Sequence, residues 1–423
     1  MSRSFFTAVD TNCDVIITGW LVKTDVLIAG GGVVGMSLAV ALSRSDPGIS
    51  VTVVDRGGAQ PGDDGRAWAL AAAVRQMLEA LNVWQRIADV AEPIREMVVT
   101  DSSSSDVLRS VFLTFNGVLD AGQPFAHMVP NAALRLALAA KADQAGVQMV
   151  VGSVEGFEQR DAGVLVRLVS GDSVDAKLLV AADGSRSRLR DIAGIGTTGW
   201  DYGQVGLVGT IRHEKPHFGV AQQNFLPEGP FAVLPLRHNF SSLVWTKSRS
   251  KASEFVDADP ETVNREIRYR IGARLGEVEI QGGLQAFPLR LSLARDLVKS
   301  RFCLVGDSAH TIHPLAGQGL NLGLRDVAAL SETIVDARRL GLDLGELDVL
   351  ERYQSWRRFD VTEMGVLTDG LNRLFSNDNS ILRLARDVGL GIVDRLPKLK
   401  REMIQQAAGL GPGIPRLLRG EAI

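Results

Sequence analysis

Two cysteines, Cys13 and Cys303, are all that the 423 residues contain, and no CxxC pair occurs. That excludes a disulfide framework and a thiolate zinc site, and it suits a reducing compartment. Neither sign of charge is in excess: 46 Lys and Arg against 49 Asp and Glu leave a net charge of −3. With a pI near 6.1 there is no global basic field to hold nucleic acid, and that partner class is rejected. No internal repeat or low-complexity segment is present, and the serine run 102–105 reads as a surface loop. Residues 1–22 carry one early arginine, but Asp10 and Asp14 interrupt any apolar core. No signal peptide is read, so a cytoplasmic location is expected, with residues 1–22 as a loose extension. The uncharged run 26–43 would pass a crude membrane-span filter. Three consecutive glycines inside it and the flanking Asp25 and Arg44 argue for a soluble strand, turn and helix instead.

Glycine is abundant, at 44 residues against a usual ~7% of a chain. In a folded chain that excess suggests tight turns and backbone that approaches a ligand. Hydrophobic residues at 45% and charged residues at 22% fit an ordinary globular protein of two or three domains. The periodicity predicts strands at 24–29, 50–55, 147–152, 163–169, 177–182 and 301–306. Helices are predicted at 34–44, 67–89, 131–145, about 260–275 and 318–338, and mostly helix follows from 346. Residues 200–290 read as short β runs around the single helix at 260–275. The expected fold is α/β: a Rossmann-like domain (23–94 with 125–190 and 285–345), interrupted by a mostly β domain (95–124 with 191–284). A helical C-terminal region, 346–423, completes it.

The first motif is Gly30-Gly31-Gly32-Val33-Val34-Gly35, a GxGxxG between an apolar strand and a helix. Gly30 permits the tight turn, Gly32 lets backbone approach a pyrophosphate, and Gly35 lets the helix pack on the sheet. The first turn of the helix, including Val34, then offers its amides to an anion. Asp55 closes the next strand, where a carboxylate can accept both ribose hydroxyl protons. Alone the fingerprint is weak; in this setting it predicts a dinucleotide site without saying which dinucleotide.

Two later motifs narrow the choice. LLVAADGSRSRLR (178–190) runs a strand into Asp183-Gly184 and on to Arg190. RFCLVGDSAHTIHPLAGQGLNLGLRD (301–326) runs a strand into Gly306-Asp307, then a loop, then Gly317-Gln318-Gly319 opening a helix. In that order and spacing, the three motifs resemble the class A flavoprotein monooxygenases of the para-hydroxybenzoate hydroxylase type. GRAWAL (65–70), GPFAVLPL (229–236), HPLAGQGLNLG (313–323) and PRLLRG (415–420) look like the ubiquinone-biosynthesis hydroxylases within that class. One departure is MVPNAALR (128–135), where many relatives carry an aromatic-rich segment with an acidic residue before the asparagine.

The resemblance implies FAD as cofactor, with Asp307 accepting from ribitol hydroxyls; helix capping is its plainer alternative. It puts Gly317 and Gly319 beside the flavin pyrimidine, where a helix terminus stabilises developing negative charge. Gln318, Leu320 and Asn321 line the same turn, and Pro314 shapes the loop over the flavin's reactive edge. Arg66 would reach the flavin side, or else be a surface arginine. Asp183, Gly184 and Arg190 would serve the pyrophosphate region and help receive NADH or NADPH; an Asp183–Arg190 salt bridge is the bland alternative. With no second GxGxxG, the nicotinamide site would be transient. His310 and His313 have HxxH spacing, but Pro314 and the glycines make this a loop, and no metal is expected. The three tyrosines, Tyr202, Tyr269 and Tyr353, are the available phenolic proton carriers, and no acid or base is assigned.

The activity so implied is hydroxylation of the aromatic ring of a polyprenylated phenol in ubiquinone biosynthesis, using O₂ through a flavin C4a-hydroperoxide. Phe231, Leu234 and Pro235 are the expected apolar wall facing the ring. Rival readings are a hydroxylase of a small soluble phenol and a flavin-binding scaffold subunit of a biosynthetic complex. The basic, amphipathic stretch 381–406, with Arg395, Lys398, Lys400 and Arg401, suggests peripheral contact with the inner face of the membrane or with a partner subunit, a homo-oligomer included. The ring carbon, the prenyl length and the choice of reductant are not encoded legibly.

Overall fold

The computed structural model describes residues 4–10, 15–57, 65–101, 111–116, 119, 122–314, 317–375, 402, 404–411 and 413–423. The basic stretch from 381 onward, with Arg395, Lys398, Lys400 and Arg401, lies outside them, as does the serine run 102–105. Among the described residues the chain builds three sheets.

The first is a nine-stranded sheet with a parallel centre. Val15–Ala29 lies between Val51–Asp55 and Ser173–Ala181, and Gln148–Val151 and Phe302–Leu304 extend the parallel pairing on either side. These strands are almost continuously apolar because helices cover both faces. The Val33–Ser45 helix is buried nearly all round, packed against the sheet and against the Asn131–Gln144 and Gln318–Arg339 helices. Leu38, Leu42, Val53, Leu179 and Val327 are fully buried in this core, each contributing about 1.5–3 kcal/mol relative to exposure. The run 26–43 is therefore strand, turn and helix. No described helix is long and apolar enough to cross a membrane.

An eight-stranded sheet carries the residues between the nucleotide-type motifs. Its long antiparallel pair is Thr197–His213 with Val278–Ala294, followed outward by Phe240–Ser248, Gly229–Leu236, Val220–Leu226, Glu96–Asp101 and Val111–Asn116. Helices Arg249–Val256 and Pro260–Ile271 cover one face. A small sheet of Ala67–Ala71, Ala126–Pro130 and Glu92–Pro93 lies against the other. The Leu347–Phe375 helix packs on Gln318–Arg339. The chain end returns to the main core through Leu417, Leu418 and Ile423.

Four expectations change. Residues 4–10 are not a loose extension: Ser4–Asp10 pairs antiparallel with the first half of Val15–Ala29. Both segments are rich in β-branched and aromatic residues, and Asp10 falls at the strand end where it interrupts nothing. Residues 67–71 form a strand, with helix only at Ala72–Ala80 and short 3₁₀ turns after it. Five apolar residues fit either period, and pairing with Ala126–Pro130 decides. The β region holds a second helix, Arg249–Val256, whose short, polar pattern gave little periodicity. The domain boundary drawn at 284/285 falls inside the continuous strand Val278–Ala294.

Candidate active site

Each of the three motifs sits at the carboxyl end of a parallel strand, where ligands bind in open α/β sheets. Gly30 has φ +116°, and a methyl group there would overlap the Ala182 carbonyl oxygen. At Gly35 a methyl would overlap the Gly30 carbonyl oxygen. The first motif is thereby pressed against the second. Replacing Gly30 with alanine is expected to abolish flavin retention and lower the melting temperature, readable from bound-flavin absorbance and calorimetry. Unaltered flavin content in that variant would refute the close approach.

Val34 joins the first motif to the third. A methyl at Gly306 would lie 3.1 Å from its Cγ1, and one at Gly323 would lie 3.0 Å from its Cγ2. The Val34 side chain is thus a packing wedge between the first and third motifs. Asp55 accepts the Gly31 N–H at 2.7 Å through Oδ2 and the Gly57 N–H at 2.9 Å through Oδ1. Each oxygen keeps a lone pair for a ribose hydroxyl.

Arg190 forms no salt bridge with Asp183; its buried guanidinium donates to the Ser308 carbonyl at 3.1 Å. It braces the Gly306-Asp307 turn, because the strand register brings the second and third motifs side by side, and its buried Nε has no hydrogen-bond partner. Asp183 accepts the Leu189 N–H at 3.3 Å, and its other oxygen is buried without a partner. Gly184, at φ +85°, has open space where a side chain would stand.

Asp307 is accessible to solvent, yet protein surrounds it closely enough that desolvation pushes its carboxyl up from the ordinary value. His310, Arg290 and Arg66 oppose that shift with positive charge. Such a carboxylate is open to hydroxyl donors from solvent or a ligand. Arg66 stands over the rings of Trp68, 5.6 Å away, and Phe287, 5.7 Å away, at the cleft's rim. Beneath the turn lies a buried ion network. Asp326 accepts from the Gly306 N–H at 2.9 Å, His310 Nε2 at 2.6 Å and Arg357 Nε at 2.7 Å. Burial alone would raise the Asp326 carboxyl, but the charges and hydrogen bonds of His310 and Arg357 outweigh it and hold it low.

Gly317 starts the Gln318–Arg339 helix in the left-handed conformation, φ +64°, and no side chain caps that helix or the Val33–Ser45 helix. Positions Gly32 and Gly319, at these two termini, have nothing within 4 Å of a would-be side chain. Two open helix N-termini, an orphaned buried Asp183 oxygen and the enclosed Asp307 fit a dinucleotide that carries a pyrophosphate and an electron-accepting ring. Gln318, Leu320 and Pro314 are half-buried at the same turn. Asn321 is spoken for: its amide donates to the Ala69 and Gly317 carbonyls and accepts the Ala71 N–H at 2.9 Å. Its side chain latches the helix to the small sheet.

The three residues expected to face the ring divide between the two faces of their sheet. Strand alternation puts Phe231 under the Arg249–Val256 and Pro260–Ile271 helices, 0% exposed and edge-on to Trp245. Pro235, an even number of residues away, shares that outer face. Leu234 lies on the opposite face, with Ala232, Val244 and Ala221, turned toward Ala67, Ala69 and Met128. Phe231→Ala is expected to cost about 3–5 kcal/mol of stability in urea unfolding with KM unchanged, whereas Leu234→Phe should change KM at a smaller cost of about 1–3 kcal/mol. The reverse pattern would show the faces to be misassigned.

His310 and His313 diverge: His310 bonds Asp326, and His313 packs edge-on against Tyr202, centroids 5.3 Å apart. The Tyr202 hydroxyl donates to Asp369 at 2.9 Å and that of Tyr353 to the Leu304 carbonyl at 2.8 Å. Both are committed away from the cleft. Sequence reasoning missed Arg290, which donates to the Ser185 carbonyl of the second motif. It also missed Asn131, which accepts from Trp68 Nε1 at 2.9 Å, and the Asp326–Arg357 pair. Asp326 closed the quoted third motif and Asn131 stood in the quoted segment 128–135; Arg290 and Arg357 had no local signal.

Residues 23–359 match the family described as "FAD binding domain". The chain is 41% identical over 407 residues to ubiquinone hydroxylase UbiL of Rhodospirillum rubrum, covering 94% of this chain and 92% of that one. It is 35% identical to 3-demethoxyubiquinol 3-hydroxylase of Escherichia coli, with 92% and 99% covered. Among solved structures, p-nitrophenol 4-monooxygenase from Pseudomonas putida superposes with a TM-score of 0.75 at 19% identity, over 91% of this chain and 97% of that one, a likeness of fold. A cradle built for a flavin dinucleotide and relatives of this extent agree: the chain is an FAD-dependent monooxygenase and belongs to the ubiquinone-biosynthesis hydroxylase family.

Proposed function

We propose that this enzyme hydroxylates the aromatic ring of a polyprenylated phenol on the route to ubiquinone, with O₂ as oxidant and NADH or NADPH as reductant. The observation that carries this is the 41% identity to a curated ubiquinone hydroxylase across nearly all of both chains. The apolar face of Ala221, Ala232, Leu234 and Val244 opposite the motif cleft supports it, since a prenylated ring needs an apolar wall. When bound, FAD supplies the activation of O₂ and the transfer of one oxygen atom to the ring. The chain's own residues do the rest. Asp55 and Asp307 hold ribose and ribityl hydroxyls, and Gly32 with the following turn holds the pyrophosphate. The amides from Gly317 to Gly319 stabilise negative charge on the pyrimidine. The wall around Leu234 orients the ring and excludes water. Pro314 closes the loop over the reactive edge.

The substrate resides in the bilayer, so the reading extends to peripheral contact at the inner face of the membrane, alone or within a biosynthetic complex. Failure of the holoenzyme to pellet with substrate-loaded liposomes would remove that extension. The central test is quinone profiling by mass spectrometry in a host lacking this gene. Accumulation of a prenylphenol one hydroxyl short, reversed by the wild-type gene, is the expected result and names the ring carbon. A normal profile would overturn the substrate while leaving the flavoprotein family intact.

A further inference from the structure

Away from the motif cleft, a cavity of about 310 Å³ opens beside the far end of the small sheet. That is the lower end of the range for small-molecule sites. Three arginines from three separate elements line it, against the one carboxylate of Glu92: Arg75 from the Ala72–Ala80 helix, Arg95 from the loop after Glu92–Pro93, and Arg237 from the turn after Gly229–Leu236. Their compensation is incomplete. Arg75 pairs with Glu79 at 2.8 Å and stands over the Trp84 ring at 5.2 Å. Arg237 approaches Glu92 only to 3.9 Å, beyond hydrogen-bond distance. Arg95 makes no ion pair among the described residues, and its stem is seated on Gly219, where a methyl would come within 2.8 Å of its Cγ.

The back of the cavity supplies the second observation. His127, only 7% exposed, forms part of the wall edge-on to Trp84, with ring centroids 5.2 Å apart. Its Nδ1 is buried with no hydrogen-bond partner, and an orphaned polar atom of this kind calls for a ligand or a water. Burial first, and then the charge of Arg75, lower its pKa to about 4, so at neutral pH the imidazole is uncharged and keeps one N–H to donate. His127 pairs with Leu70, three residues along the ladder from the Ala67–Pro130 pair beside Arg66. At about 3.4 Å per residue His127 lies about 10 Å along its strand from Pro130, and no residue lining the cavity belongs to the three motifs.

We propose that this cavity binds a phosphate-type oxyanion, held by Arg95, Arg237 and Arg75, with the His127 wall behind it. Guanidinium groups match the geometry of phosphate oxygens, and Ala88, Ala91 and Pro93 leave room for an apolar or flat substituent. The anion is a free or nucleotide phosphate, or a phospholipid headgroup.

The holoenzyme tests this by calorimetric titration with inorganic phosphate and with adenosine 2′-monophosphate, and by co-sedimentation with phosphatidylglycerol or phosphatidylcholine vesicles. Saturable binding is expected, weakened at least tenfold in the Arg95→Gln and Arg237→Gln variants with flavin content and melting temperature unchanged. Both side chains are surface-accessible, so these variants fold. Binding of the soluble phosphates identifies a small-molecule site. Sensitivity to both variants that appears only with phosphatidylglycerol identifies the headgroup. No saturable binding of any probe at millimolar concentration, or binding indifferent to both variants, overturns the proposal. None of these outcomes depends on the substrate of the flavin reaction.

Discussion

Asp326→Ala is expected to cost about 3–5 kcal/mol of folding stability, the range for breaking a buried charge pair from one side. Asp326 is fully buried and is shared by the Gly306 amide, His310 and Arg357. Its removal leaves a buried guanidinium with Asp360 as its remaining carboxylate and frees the turn that carries Asp307. Chemical unfolding of the apoprotein measures the loss directly; a midpoint within error of wild type would show that the network contributes nothing net. The pH dependence follows from the direction of the shift. The Asp326 carboxyl is held below its ordinary value in the fold, so its contribution is complete above the unfolded value near pH 3.9. It is lost only as pH falls through the lower folded value. The gap in stability between wild type and Asp326→Ala should therefore be constant from pH 5 to 7 as far as this carboxylate is concerned, and shrink in strong acid.

Asp307→Ala, one turn away, should behave in the opposite sense. Its carboxylate is enclosed, raised in pKa, and accepts no hydrogen bond from a described residue. An acid whose folded pKa lies above its unfolded one destabilises the fold by an amount that grows as pH rises from the unfolded to the folded value and is constant above it. The apoprotein of Asp307→Ala is thus expected to be at least as stable as wild type at neutral pH. Its affinity for FAD should fall at least tenfold, measured by reconstitution of the apoprotein and recovery of flavin fluorescence. In the host lacking the gene, the variant should fail to restore the quinone. Retained FAD affinity would remove Asp307 from the cofactor's binding set. Lost affinity together with lost apoprotein stability would make it a structural residue instead. The contrast between Asp326 and Asp307 separates what builds the turn from what the turn is for.

Local pattern was enough wherever one element explains itself. The strand, GxGxxG and helix at 24–44, the Asp55 strand end, and the Gly306-Asp307 and Gly317–Gly319 turns are legible because glycine where φ is positive and a carboxylate at a strand end have few other uses. Tertiary structure decided what depends on facing and partners. Residues 229–236 are apolar at almost every position, so only pairing with Phe240–Ser248 and burial under two helices could say that Phe231 faces the outer core and Leu234 the small sheet. Arg190 and Asn321 stand in the expected motifs, yet their side chains are engaged by backbone brought from 118 and 252 residues away. Arg290 and Arg357 reach the site from a different sheet and from the C-terminal helix. Sequence by itself determined the fold class and a dinucleotide site, because those rest on short-range backbone chemistry, and the order of its three motifs pointed to a flavin. Which polar side chains hold the frame was decided by long-range contacts, whose partners no window of sequence contains.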